Sequence, residues 1–201
     1  LSVRNAELSS PIPKPINVVI PARALSELAR IFGESKETVT MTIPPGRGQV
    51  IFRTKDIELI SQLIQGAFPD YEQIIPQQYN TRVVLSTNAF LKACKQAEIF
   101  AREGSYIARI NVRPGDETLH GSVEISGQSE ETGSSQNVVD AAVEGPPLLI
   151  AFNVKFLREV LDVIKAPTVS LEATSDTSPG LVKPVGDQQF LHVIMPMHLG
   201  N

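Results

Sequence analysis

Residues 68–76 read FPDYEQIIP, a short stretch with two aromatic residues, two isoleucines and two prolines. It follows LIQGA at 63–67 and precedes QQYN at 77–80, so its position is that of a connection between two structured regions. Connecting segments usually run over the surface and are polar. The apolar content of this one predicts a segment that is contacted, either by the rest of the fold or by a partner molecule.

Similar patterns of helix and strand lie on the two sides of this connection. Apolar residues at helical spacing predict helices at 21–32, 87–103 and 153–166, with Thr87 or Asn88 as the cap of the second. Alternating or β-branched runs predict strands at 37–43, 49–54, 57–66, 81–86, 106–114, 118–127, 134–145, 146–152, 168–174, 177–185 and 190–199. The chain is therefore predicted to be an α+β protein, built from duplicated units of antiparallel sheet with helices on one face.

Composition places the chain among ordinary globular proteins. Hydrophobic residues make up 42% and charged residues 20% of its 201 residues, and the formal net charge is −4. No apolar run approaches the roughly 20 residues that cross a bilayer. The acidic balance argues against a general nucleic-acid binder but allows a locally basic face. The opening LSVRNAEL is typical of a strand already under way, so we expect the natural chain to begin elsewhere.

Catalytic and metal-binding candidates are sparse. The three histidines, His120, His192 and His198, stand in no HExxH or HxH pattern, and no phosphate-binding glycine motif is present. The single cysteine, Cys94, lies on the apolar stripe of its predicted helix, which favours a thiol in the core. One cysteine allows no internal disulfide, which fits a reducing compartment. The sequence predicts no enzyme, no metal site and no cofactor.

Basic residues recur on the outer faces of the three predicted helices. They are Arg23, Arg30, Lys92, Lys95, Arg102, Lys155, Arg158 and Lys165. One interpretation is a set of solvated faces that contribute solubility. The other is a basic surface shared by several helices, which would attract phosphate groups without reading bases.

The C-terminal stretch VIMPMHL at 193–199 places two methionines round a proline. It is typical either of an edge strand that ends in the core or of an exposed apolar groove. Methionine is flexible and polarisable, which suits a surface that accepts several partners. An exposed apolar patch usually marks an interaction site.

Three motifs together resemble one family. FPDYEQIIP after LIQGA, VGDQQFLHVIMPMHL at 185–199 and the opening LSVR are similar to bacterial DNA sliding clamps, the β subunits of DNA polymerase III. The resemblance runs from Leu1 to Leu199 in the same order. It implies a DNA-clamp fold, with residues 1–72 as the latter part of the middle clamp domain and residues 73–201 as the third domain.

The resemblance also implies a function. A sliding clamp is a non-catalytic, cytoplasmic homodimer ring that encircles duplex DNA without sequence preference and tethers the replicative polymerase. The basic helix residues from Arg23 to Arg158 would then face DNA, and Ile99 and Phe100 would lie at the dimer interface. The alternative is a clamp-like peptide-binding module with no role on DNA.

In this family an apolar pocket captures short linear motifs of the polymerase, the clamp loader, other polymerases and repair proteins. The residues that the resemblance assigns to the pocket are Leu1, Pro69, Gln73, Ile74, Pro179, Val193, Met195, Pro196, Met197, His198 and Leu199. A basic residue is common in the family where Gln73 and His198 stand. On this interpretation, FPDYEQIIP is apolar because it forms part of a binding site.

Overall fold

The structure is a computed structural model that describes residues 1–8, 11–12, 14–33, 37–103, 105–116 and 120–198. The chain divides into two compact units, one formed by Leu8–Asp70 and the other by Leu1–Glu7 together with Tyr71–Asn201. The first seven residues therefore fold with the C-terminal part of the chain. Within the described ranges, no helix is both long and apolar enough to cross a membrane.

The described residues form three α-helices, twelve strands and one short 3-10 helix. The helices are α1 (Ala22–Phe32), α2 (Thr87–Ala101) and α3 (Val154–Val163), and the 3-10 helix covers Glu72–Ile74. The strands are β1 (Ser2–Arg4), β2 (Thr40–Thr42), β3 (Gln49–Arg53), β4 (Glu58–Gln62), β5 (Thr81–Ser86), β6 (Ile107–Arg113), β7 (Ser122–Ser129), β8 (Gly133–Glu144), β9 (Leu148–Asn153), β10 (Thr168–Ala173), β11 (Gly180–Pro184) and β12 (Phe190–Ile194).

The smaller unit contains α1 and an antiparallel sheet in the order β2-β3-β4. Val50 and Phe52 alternate along β3 and are buried. Gly46 and Gly48 adopt φ of 72° and 59° in the turn before β3, a backbone that glycine adopts without a steric penalty. The hairpin and the strand predicted within 57–66 are both confirmed.

In the larger unit, nine of the described strands form one sheet in the order β1-β12-β11-β10-β5-β8-β7-β6-β9. Strand β8 is long enough to pair with two neighbours, with β7 through Gly133–Asp140 and with β5 through its last four residues. Helices α2 and α3 pack against each other, and α2 also packs against the sheet. The core between them includes Phe90, Phe152 and Leu157, all fully buried.

The N-cap of helix α2 lies before both of the predicted candidates, Thr87 and Asn88. The cap is Ser86, whose hydroxyl accepts a hydrogen bond from the N–H of Ala89 at 3.4 Å. The hydroxyl of Thr87 instead donates to the carbonyl of Ala166 at 2.7 Å, so it does not serve the helix end. The apolar spacing predicts a stripe of Phe90, Leu91, Cys94, Ala97 and Ala101, and all of these are buried except Leu91, which is half-buried.

Helix α3 has Asn153 as its N-cap, and it is shorter than the helix predicted at 153–166. The side chain of Asn153 accepts hydrogen bonds from the N–H groups of Lys155 and Phe156. The helix ends at Val163 rather than at 166, and Ile164 is already extended. Pro167 follows closely, and a proline disfavours helical backbone at the residue before it.

The segment after β12 leaves its strand and crosses to β9. Pro196 forms an isolated bridge with Phe152, and the N–H of Met197 donates to the carbonyl of Ala151 at 2.8 Å. The strand predicted at 190–199 therefore ends at Ile194, because Pro196 has no N–H with which to continue the ladder. This crossing brings the Met-Pro-Met sequence alongside α3.

Candidate functional site

A groove of about 660 Å³ lies in the larger unit, between α3 and the end of β12. Its strand side is formed by β1, β12 and the crossing segment, and its helix side by the outer residues of α3. The lining residues are Leu1, Ser2, Asn153, Phe156, Glu159, Val160, Val163, His192, Val193, Ile194, Met195, Pro196 and Met197.

Three large apolar side chains stand open to solvent in this groove. The exposed fractions are 53% for Phe156, 65% for Val163 and 61% for Met195. They lie over buried Val160 and Val193, so the groove has a packed apolar floor. Such a surface can bind a short peptide segment. The apolar side chains of that segment become buried against the groove, so the segment needs no hydrophobic core of its own.

A few polar groups lie along the same groove. The hydroxyl of Ser2 and Nδ1 of His192 are 2.8 Å apart, across the register that pairs β1 with β12. Burial, and then the positive amino group of Leu1, lower the pKa of His192 from 6.5 to about 4. The imidazole is therefore neutral at neutral pH and can donate or accept a hydrogen bond without adding charge.

The structure brings together five of the residues predicted for the pocket: Leu1, Val193, Met195, Pro196 and Met197. His198 lies elsewhere, in a polar cavity of about 870 Å³ that also contains Glu103 and Arg109. Leu199 lies outside the described residues. Pro179 stands directly before β11 and is not among the residues that line the groove.

The segment 68–76 is not part of the groove that the larger unit forms. Gln73 and Ile74 belong to the 3-10 helix of that unit, and both are exposed. Pro69 is an exposed residue of the smaller unit. The assignment of these three residues to a peptide pocket stays a prediction.

The helix side of the groove was missing from the sequence prediction. The apolar spacing in 153–166 predicts that Leu157, Val160, Leu161 and Ile164 point inward, and it assigns no role to Phe156 and Val163, which are seven residues apart. Together the six apolar residues form a stripe wider than one buried face requires. That excess width is the signal that could have indicated a second apolar surface on this helix.

Several basic residues predicted to face DNA are held by carboxylates. Lys95 contacts Asp162 at 3.0 Å, and Arg158 contacts Glu98 at 2.7 Å and Asp162 at 2.9 Å. The hydrogen bond from Lys95, followed by that from Arg158, lowers the pKa of Asp162. These ion pairs link α2 to α3, so the basic residues also serve the packing of the two helices.

The remaining basic candidates have more varied surroundings. Arg30 pairs with Glu27 at 2.8 Å on α1, and Nζ of Lys155 lies 5.8 Å from the ring centroid of Tyr106. Arg23, Lys92 and Arg102 are exposed. This distribution leaves the predicted contacts with DNA untested.

The predicted dimer residues lie near the end of α2. Ile99 is 64% exposed, and its neighbour Phe100 is half-buried. An exposed isoleucine on a helix can contribute to an interface, although isolated exposed apolar residues are also ordinary.

Cys94 is fully buried, and this burial raises the pKa of its thiol. A thiol in such surroundings is a poor nucleophile. In the described part of the chain, no group of three or more His, Cys, Asp or Glu side chains could hold a metal ion.

Comparison with protein families identifies the class of protein to which this fold belongs. A family model described as "DNA polymerase III beta subunit, C-terminal domain" matches residues 72–198, and one described as "DNA polymerase III beta subunit, central domain" matches residues 1–70. The chain belongs to the DNA polymerase III beta subunit family. The predicted resemblance and the predicted clamp fold are confirmed.

Individual relatives agree with this assignment. The chain is 31% identical over 199 residues to the beta sliding clamp of Bacillus subtilis and 32% identical over 198 residues to that of Staphylococcus aureus, covering 98% of this chain in both cases. A crystal structure of the Bacillus subtilis clamp superposes with a TM-score of 0.89 at 30% identity, covering 99% of this chain and 51% of that chain. The chain spans about half the length of the curated relatives it matches, 51% and 50%.

Proposed function

We propose that the chain is the C-terminal half of a bacterial DNA sliding clamp, a non-catalytic processivity factor of the DNA polymerase III holoenzyme. In this proposal the whole protein is a cytoplasmic homodimer ring that encircles duplex DNA during replication and tethers its partners through a peptide-binding pocket. Residues 1–72 contribute part of the middle domain and residues 73–201 form the third. The family matches at 1–70 and 72–198 support this division.

The observation that carries the proposal is the apolar groove beside α3. It contains the Met-Pro-Met segment predicted to bind partner peptides, and its exposed apolar side chains are arranged over a packed floor. The backbone of the crossing segment is fixed by Pro196 and by the hydrogen bond from Met197 to Ala151. A fixed backbone loses little conformational entropy when a peptide binds.

The pocket is tested with a fluorescently labelled peptide that begins with glutamine and ends with leucine–phenylalanine. We expect saturable binding to the folded 201-residue chain. Met195→Ala should weaken it by about 1–2 kcal/mol, because a few apolar anchors carry most of the free energy of such interfaces. Met41→Ala, an exposed methionine of the smaller unit, is the matched control. The proposal would be contradicted if the folded chain did not bind the peptide, or if Met195→Ala left the peptide affinity unchanged.

The other pocket residues are proposed on the family resemblance. They are Pro69, Gln73, Ile74, Pro179, His198 and Leu199. The same titration with Pro69→Ala tests the contribution of the smaller unit, and a loss of about 1–2 kcal/mol is expected.

Contacts with DNA are proposed for basic residues on the three helices. In full-length protein, Lys92→Glu combined with Lys95→Glu should reduce retention on circular DNA and leave peptide affinity unchanged, because neither lysine lines the groove. Phosphate contacts are electrostatic, so the loss should be largest at low salt. Equal loss of both properties would indicate misfolding instead of a DNA contact.

One observation favours the alternative, a clamp-like peptide-binding module with no role on DNA. Lys95 and Arg158 are engaged by carboxylates, and the net charge is negative. Retention of the full-length protein on closed circular DNA, and its release when the circle is cut, would support the clamp. A protein that binds peptide but never stays on the circle would support the module.

A further inference from the structure

The described lining of the groove has few charged groups, one carboxylate and the amino group of Leu1. Among the described residues that line it, Glu159 is the one carboxylate, and no lysine or arginine is present. His192 is neutral at neutral pH because its pKa is about 4. The amino group of Leu1 donates to the carbonyl of Val193 at 2.9 Å, so it points into the backbone of β12.

Arg158 compensates this carboxylate only weakly. Its guanidinium is 3.8 Å from Glu159, whereas it contacts Glu98 at 2.7 Å and Asp162 at 2.9 Å. The side chain of Glu159 is 50% exposed. Its oxygens therefore remain accessible to a cation that approaches from the groove.

Phe156 lies about one turn before Glu159, on the same face of α3. It precedes Glu159 by three residues, a spacing that places two side chains next to each other on a helix surface. A lysine or arginine can lay its methylene groups along an apolar ring and hold its charge beside it, where the ring also attracts the cation. Phe156 and Glu159 thus offer complementary surfaces to the two parts of a basic side chain.

We propose that the segment bound in this groove carries a lysine or arginine beside its apolar anchors, and that Glu159 selects for this positive charge. The inference rests on the proposed peptide-binding function and specifies the chemistry of the partner. An acidic residue at the same place in the segment is disfavoured, since it would lie close to a carboxylate that Arg158 compensates only weakly.

A matched set of labelled peptides tests this selection on the 201-residue chain. Each peptide begins with glutamine, ends with leucine–phenylalanine and carries Lys, Gln or Glu at one non-anchor position at a time. At one of these positions, the Lys peptide should bind about two- to fivefold more tightly than the Gln peptide. The Glu peptide should bind more weakly than the Gln peptide by a similar factor, as expected for a partly exposed ion pair. The preference should decrease at high salt.

Two variants assign the preference to a residue. In Glu159→Gln, the Lys, Gln and Glu peptides should bind alike. Glu144→Gln removes an exposed carboxylate outside the groove and should keep the wild-type preference. Phe156 lines the groove, so Phe156→Leu should weaken all three peptides, and it should also reduce the ratio by which the Lys peptide binds more tightly than the Gln peptide.

The possible outcomes separate this inference from the function on which it rests. Binding of all peptides with equal affinity, or a preference that persists in Glu159→Gln, would overturn the inference and leave the peptide pocket standing. Failure of every peptide to bind a folded chain would overturn both.

Discussion

Among single residues, Arg158 shows how position changes the role of a side chain. The sequence places it on the outer face of α3, which fits either a solvated face or, as the family resemblance implies, a contact with DNA. In the structure it lies between Glu98 of α2 and Asp162 of its own helix, so its charge joins two helices. In the proposed contact with DNA, a phosphate would have to compete with two carboxylates, so Arg158→Ala should reduce retention on circular DNA less than Lys92→Ala, since Lys92 is exposed.

His192 makes stability depend on pH. Its pKa in the folded chain is about 4, whereas an unfolded histidine titrates near 6.5. Between these values the unfolded chain binds more protons, so the contribution of His192 to stability is complete above about pH 6.5 and decreases as the pH falls towards 4. Because the ring is only partly buried, we expect a loss of about 1–2 kcal/mol across this range.

Urea unfolding of wild type and His192→Gln at pH 7 and pH 4.5 measures this contribution. The free energy of unfolding should fall less in the variant than in the wild type. His120→Gln, at an exposed histidine, should follow the wild type. An identical fall in all three proteins would mean that carboxylates alone account for the acid sensitivity.

At the level of secondary-structure elements, the contact between α2 and β7 depends on small residues. A Cβ atom added at Gly127 would overlap the carbonyl oxygen of Ala97, which is backbone and cannot rotate away. Gly127→Ala should therefore separate the helix from the strand and lower the free energy of unfolding by about 1–3 kcal/mol. Chemical denaturation measures the change.

Gln128→Ala is the control for this contact, because Gln128 is the exposed neighbour on the same strand. Its effect should stay within about 0.5 kcal/mol. A Gly127→Ala variant as stable as Gln128→Ala would show that the helix can shift without loss.

The elements differ in how far the sequence predicts them. Helices α2 and α3 follow from apolar periodicity, whereas the cap of α3 was not predicted, although asparagine is a common cap because its side chain can accept backbone N–H groups. The cap of α2 is missed because Thr87 bonds to Ala166, a residue distant in sequence. Local patterns contain no information about such a partner.

The groove was predictable on its strand side alone. The Met-Pro-Met sequence indicates an exposed apolar surface, and the family resemblance assigns it to binding. The helix side depends on where the chain crosses after Ile194, and this is decided by the bridge between Pro196 and Phe152. Until that crossing is known, Phe156 and Val163 could equally belong to a wider core.

At the scale of the whole molecule, the first residues complete the larger unit. Strand β1 pairs with β12, and Val193 donates to the carbonyl of Leu1 at 2.7 Å. Removal of residues 1–7 would leave one edge of β12 unpaired. It would also remove Leu1 and Ser2 from the lining of the groove. An unpaired edge favours association between chains.

We expect the chain without residues 1–7 to bind the labelled peptide at least about threefold more weakly, a loss of roughly 0.7 kcal/mol. Light scattering should also detect more self-association. Replacement of Ala6 and Glu7 by glycine and serine, which keeps β1, should change neither property. Unchanged binding by the truncated chain would show that β1 is dispensable for the groove.

The crossing segment has a kinetic consequence. Ile194 is held by its pairing with Gly180, and Met197 by its hydrogen bond to Ala151, so the backbone on both sides of Met195 is fixed. An arriving segment therefore meets an exposed Met195 side chain on a backbone that is already ordered. Stopped-flow association should therefore be fast, about 10⁵–10⁷ M⁻¹s⁻¹, and partners of this groove should differ chiefly in how long they stay.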